Sequence, residues 1–282
     1  MDRIVLHPVT KTKLQNFIDH PSHALLIVGP RGMGKGSVAQ QIAANLLTVQ
    51  PHQLASHAYL RHITVGKEQS IAIDTVRELE HFLSLRVPGK SNRIIIIEDA
   101  HTLTNEAQNA LLKTLEEPPE RTTIILTATG ERNLLPTIRS RAAVLLVQRP
   151  APETLQTHFA DLGHTSSAIQ KAYLMSGGLP GLMTALLATD EEHPLVIAAT
   201  TAREIIQKST FDRLAMIDQL AKQKQYCLDV LAIMQQMSHL TLAGSKPTKS
   251  WQNILAQSFQ ASQHLQASAQ PKLVLTNLML NL

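Results

Sequence analysis

The stretch Ala24-Leu25-Leu26-Ile27-Val28 runs without interruption into Gly29-Pro30-Arg31-Gly32-Met33-Gly34-Lys35-Gly36. Five consecutive aliphatic residues read as a strand buried on both faces, and Ser37 to Leu47 continues at helical spacing. Strand, glycine-rich turn and helix in that order restrict the surrounding fold to α/β layering, because parallel neighbours need helical crossovers. The glycine and lysine spacing is that of a P-loop. Glycines let backbone N–H groups turn inward around a polyphosphate, the helix N-terminus adds its positive end, and Lys35 offers a mobile charge to the outer phosphates. Gly29, Pro30, Gly32, Gly34 and Lys35 are therefore candidate nucleotide ligands. An intact motif would place Ser or Thr at position 36 to ligate Mg2+. Gly36 has no side chain, and Ser37 stands one residue, about 100° of helix turn, out of place. ATP or ADP is the expected ligand, held by backbone and Lys35, with Mg2+ weak or absent and efficient hydrolysis not expected. The plain alternative is an ordinary tight connection between strand and helix.

From residue 24 to about 147, apolar strands alternate with amphipathic helices, the pattern of a parallel sheet. Strands are expected near 24–28, 58–64, 93–98, 122–128 and 142–147, and helices near 36–48, 71–85 and 104–117, with a short one near 134–139. Thr104 is suited to cap the third of these helices, and Pro118-Pro119 must stop it. After Arg149-Pro150-Ala151-Pro152 the strand signal ends. One helical group is expected over 152–189, broken at Ser176 to Gly181, and another from Pro194 to the end, broken at Leu240 to Lys249. The Ser, Gln and Ala-rich stretch 257–270 is compatible with an amphipathic helix. Ile217, Leu220, Leu228, Leu231 and Met234 form an apolar stripe suited to packing between helices, either across subunits or within a free-standing bundle.

A chain of 282 residues with 44% hydrophobic content can bury substantial cores and should divide into two or three domains. Aromatic residues are only 3%, so those cores must be aliphatic, which favours helices and parallel strands. A net charge of +4 permits contact with nucleic acid without a dense basic run to concentrate it. Cys227 is the single cysteine, which excludes an intrachain disulfide framework and a multi-cysteine zinc site. His52, His57 and His62 recur every five residues, a spacing that shares no face of a helix or strand, so no metal site is expected from them. The N-terminal Met1 to Pro8 carries no sustained apolar segment, and no apolar run approaches the roughly 20 residues of a membrane span. A cytoplasmic location without membrane contact is expected.

The aliphatic run Ile94 to Ile97 ends in Glu98-Asp99, the second signal of a nucleotide site. P-loop proteins place an acidic pair at the tip of a strand beside the loop, one carboxylate organising Mg2+ and the other polarising the attacking water. The usual Asp-Glu order is reversed here. Each carboxylate is thereby displaced by a methylene, about 1.5 Å, and an error of that order can cost about 100-fold in rate. A solvated strand end is the bland reading.

The segment Glu98 to Pro119, continued through Leu135-Pro136-Thr137-Ile138-Arg139-Ser140-Arg141, resembles the AAA+ clamp-loader ATPases of the replicative DNA polymerase. The detailed likeness covers roughly 45 residues, and the α/β layout resembles the family across residues 1–190. The resemblance implies an AAA+ core over residues 1–149 with a five-stranded parallel sheet, a helical lid over 150–192 and an all-α collar over 193–282. It implies a hetero-pentameric ring with motor (gamma/tau) and delta subunits, which opens a sliding clamp and loads it onto primed DNA without reading sequence. Arg141 would act in trans as an arginine finger on the γ-phosphate held by a neighbour, where the residue alone would read as a surface or strand-capping arginine. Thr127 and Thr129 would close the strand that carries the sensor polar residue near that phosphate, although β-branched residues suit any strand. Departures from the family are Ala142 where cysteine is usual, no arginine in Gly178 to Leu182, and no four-cysteine zinc module. Gly36, the reversed acidic pair and the missing lid arginine favour a non-catalytic or weakly catalytic subunit. The alternative is the ATP-hydrolysing motor subunit of the same machine.

Overall fold

The computed structural model describes residues 4–65, 70–84, 87, 91–130, 134–244 and 249–282. The chain divides into two compact units, residues 1–150 and 151–282.

The first unit is built on five parallel strands, β1 Ala24–Val28, β2 Leu60–Ile63, β3 Arg93–Ile97, β4 Thr122–Ala128 and β5 Ala143–Leu146, in the order β2-β3-β4-β1-β5. Each expected strand is present within about two residues of its expected ends. Every residue of β1, β3 and β4 is buried, which is why these segments, Arg93 at the start of β3 apart, carry unbroken aliphatic or Thr runs and no alternation. Register is set by Leu26 opposite both Leu126 and Val144, and by Ile95 opposite Ile124. One face of the sheet (Leu26, Val28, Ile95, Ile97, Ile124, Leu126) packs on α3 Ile73–Ser84 through Val76, Leu79 and Phe82, and on α4 Asn105–Glu116 through Ala107, Leu111 and Leu115. α2 Lys35–Leu47 packs against β1, β3 and β4, burying Val38 and Ile42.

Thr104 caps α4, its hydroxyl accepting from the Ala107 N–H at 3.2 Å. α5, Pro136–Arg139, follows β4. The helix α1, Pro8–Asp19, is not marked by any expected element. Its apolar content is thin and only Thr10, Leu14 and Phe17 are buried, so its helical period is faint. The last residue of the helix expected over 71–85, and residues 245–248 of the expected break at 240–249, lie outside the described residues.

The second unit is all helix: α6 Pro152–Asp161, α7 Ser166–Ser176, α8 Pro180–Leu187, α9 Pro194–Gln207, α10 Thr210–Ala215, α11 Ile217–Leu220, α12 Lys224–Gly244, α13 Lys249–Gln266 and α14 Pro271–Asn281. α12 is its axis, packing on α9, α13 and α7. It continues through Leu240 to Gly244, so no break begins at Leu240 as expected, since Leu240, Thr241, Leu242 and Ala243 offer no breaker. Of the apolar stripe, Ile217, Leu220, Leu231 and Met234 are buried while Leu228 is half-buried, because Val230 and Ile233 share the buried face instead. Cys227 is buried and donates to the Leu220 carbonyl at 2.8 Å; burial pushes its thiol up to about 11. Among the described residues no helix is long and apolar enough to cross a membrane.

Candidate functional site

Because all five strands are parallel, their C-terminal ends share one edge of the sheet, the edge at which open α/β sheets hold ligands. The loop 29–34 leaves β1 at this edge and turns into α2. Gly32 (φ 82°) and Gly34 (φ 80°) occupy the left-handed region, which lets the loop curl back over the start of the helix. Met33 is buried beneath the turn. Lys35 is only 7% exposed, and its ammonium donates to the Pro30 carbonyl inside the loop at 3.1 Å. Burial pulls its pKa from 10.5 to about 8, opposed by the carboxylates of Asp99 and Glu98 and reinforced by Arg31. The loop thus brings two left-handed glycines and a buried cation together at the start of α2, residue types that fit a polyphosphate.

The acidic pair does not sit on the strand beside this loop as expected from the sequence, since β4 lies between β1 and β3. Glu98 and Asp99 nonetheless reach the loop from the end of β3. A Cβ placed on Gly36 would lie 2.5 Å from Glu98 Oε1, so the carboxylate stands where the side chain of residue 36 would go. Glu98 Oε1 also accepts from His62 Nε2 at 2.8 Å, a bond that puts the proton on that nitrogen. His62 is therefore a partner of the acidic pair from the neighbouring β2, a role its five-residue spacing did not signal. Asp99 takes a left-handed backbone (φ 48°), pairs with Arg31 Nη1 at 3.5 Å, and donates its N–H to Thr127 Oγ1 at 2.9 Å. One carboxylate is matched by an imidazole and the other by a guanidinium. Burial holds His101 below the ordinary imidazole value. The residues do not fit a magnesium ion ligated from position 36, because Glu98 fills that position. Among the described residues no three His, Cys, Asp or Glu side chains converge as metal ligands.

Thr127 is buried inside β4, where its hydroxyl fixes the acidic turn. Thr129 does not close the strand, which ends at Ala128; it is half-buried one residue beyond. Ser37 lies in the first turn of α2 beside Gly36, as its position in the motif requires.

Arg141 lies apart from the loop, two residues past the end of α5. Its Nη2 pairs with Glu116 Oε1 at 2.7 Å, and its Nη1 donates to the Thr137 carbonyl at 3.0 Å and to Ser140 Oγ at 3.3 Å. The guanidinium is about one-third exposed. Glu116 is in this structure the ion-pair partner of Arg141. The signal for that pairing was its place at the last residue of α4, a helix that packs on α5.

Residues 7–151 match the family described as DNA polymerase III, delta subunit. The chain is 30% identical over 184 residues to the DNA polymerase III subunit delta' of Escherichia coli, covering 60% of this chain and 55% of that protein. It is 28% identical over 213 residues to the subunit gamma/tau of Mycobacterium tuberculosis, covering 71% of this chain and 33% of that one. The chain spans about half the length of the delta' proteins it matches. In fold it is similar to a DNA polymerase III gamma-subunit-related protein of Thermotoga maritima, with a TM-score of 0.56 and 19% identity over 96% of this chain and 97% of the other. With the matching family covering more than half of its length, from before the glycine loop to just past Arg141, this chain belongs to the DNA polymerase III delta subunit family.

Proposed function

We propose that this chain is a delta'-type subunit of a DNA polymerase III clamp loader, which stimulates ATP hydrolysis at a neighbouring subunit and hydrolyses little ATP itself. The observation that carries the reading is the Glu98 carboxylate occupying the side-chain position of Gly36, where a hydrolysing P-loop would present its metal-ligating hydroxyl. The loop remains suited to ATP or ADP through its backbone and Lys35. Arg141, about one-third exposed and removed from the chain's own loop, is the group offered to the γ-phosphate of a neighbour, where a guanidinium neutralises charge gathering on the phosphoryl oxygens. In this reading residues 150–192 form a lid and residues 193–282 a collar. The collar would hold the chain in a hetero-pentameric ring with gamma/tau and delta subunits, in the cytoplasm. The ring would load a sliding clamp onto primed DNA, tracking phosphates without sequence preference.

The likeness to gamma/tau favours a second reading, an ATP-hydrolysing motor subunit. Gly36 and the engaged carboxylates of Glu98 and Asp99 weigh against it. The test is clamp- and primed-DNA-stimulated ATP hydrolysis of the ring reconstituted with its motor subunits. Arg141→Ala is expected to lower the rate by about 100-fold, less than the largest effects of such fingers in GTPases, and Lys35→Ala to change it little. The opposite pattern would assign hydrolysis to this chain.

A further inference from the structure

Resting on the reading of Arg141 as a trans-acting finger, we infer that Glu116 is its positioning residue, the side chain that decides where the guanidinium stands before a neighbour's phosphate arrives. A long side chain at the end of a four-residue helix has little to hold it in one rotamer. Here it is held from three directions: Glu116 on Nη2, and the Thr137 carbonyl and Ser140 hydroxyl on Nη1. None of these three contacts uses Nε–H.

The frame that holds Glu116 is itself fixed. Glu116 ends α4, and the same helix carries Gln108, which is 5% exposed and accepts from the Leu135 N–H at 3.0 Å while donating to the Leu103 carbonyl at 3.2 Å. Gln108 therefore ties the residue that caps α5 to α4, and Glu116 ties Arg141, two residues past α5, to the other end of α4. The finger is referenced to the sheet core through α4 as well as through its own short helix. An exposed ion pair of this kind adds little to folding stability. Its contribution is geometric: misplacing a charged group by about 1 Å at a phosphoryl-transfer site can cost about 100-fold in rate.

The test is the stimulated ATP hydrolysis of the reconstituted ring with Glu116→Ala, Glu116→Gln, Arg141→Ala and the Glu116→Ala, Arg141→Ala double variant in this chain. Glu116→Ala is expected to lower kcat by about tenfold with KM unchanged, because nucleotide is held by the neighbour. Glu116→Gln, which keeps an acceptor oxygen at the same reach, is expected to recover part of that loss. The double variant is expected to equal Arg141→Ala alone, since Glu116 acts through Arg141. Full activity or a gain in Glu116→Ala would overturn the inference while leaving the finger reading intact, provided that Arg141→Ala is impaired. A double variant slower than Arg141→Ala would also overturn it, by assigning Glu116 an independent role. No loss in Arg141→Ala would remove the finger reading itself, and the inference with it.

Discussion

Lys35 shows what the glycine loop costs the folded chain. Its pKa in the folded state, about 8, lies below the ordinary 10.5, so folding disfavours the charged form. Below pH 8 the lysine is charged in both states and the full penalty is present; it fades as pH rises from 8 toward 10.5, where both states become neutral. Lys35→Met is therefore expected to stabilise the chain at pH 7 by about 1–3 kcal/mol, with the gain shrinking at pH 10. Urea unfolding of both proteins at the two pH values checks this, and a destabilised variant at pH 7 would contradict it. Gly36 makes the complementary point. In Gly36→Ser the new Cβ must displace Glu98 Oε1, the far end of a flexible side chain, and break an exposed contact with His62. Stability is expected to change by less than about 1 kcal/mol. Titration calorimetry with and without EDTA is expected to show ATP affinity nearly independent of Mg2+ in the wild type and dependent on it in Gly36→Ser. A strongly Mg2+-dependent wild type would refute the account of this position.

The same logic of small residues at close approaches governs how the helices join. Gly177 caps α7 in the left-handed region (φ 65°), and a Cβ there would collide with the Cβ of Gln236 on α12. Gly244, at the end of α12, has nothing within 4 Å of a new Cβ. Gly177→Ala is expected to destabilise by about 2 kcal/mol or more, from the left-handed backbone and the overpacking together, while Gly244→Ala is expected to stay within about 0.5 kcal/mol. Thermal unfolding of the two variants side by side distinguishes them, and equal shifts would show that α7 and α12 do not depend on this contact. The Ser176 to Gly181 segment was legible in advance as a break between helices. That its first glycine is also the packing point of α7 on α12 was not, because the partner lies 59 positions away and no local pattern encodes it.

The assembled chain has two cores, and each unit is large enough to bury a core of its own. Residues 1–150 expressed alone are expected to unfold cooperatively in urea, with mixed helix and strand signal by circular dichroism. A fragment without a cooperative transition would show that its core is incomplete. The aliphatic runs of β1 and β3, the glycine loop and the proline stop after α4 placed the sheet and its helices from sequence, because buried parallel strands and helix ends are dictated by local composition. The helix α1 escaped, since three buried positions in twelve residues leave almost no period to read. At the candidate site, Lys35, Glu98 and Asp99 were singled out by motif and spacing, and Arg141 by the resemblance alone. Their partners were not. His62 meets Glu98 because β2 is the parallel neighbour of β3, Arg31 meets Asp99 across an intervening β4, and Glu116 meets Arg141 because α4 packs on α5. Spacing along a chain states which chemistry a segment carries; strand order and helix packing bring distant segments within 3–4 Å and so settle which charges each group must answer.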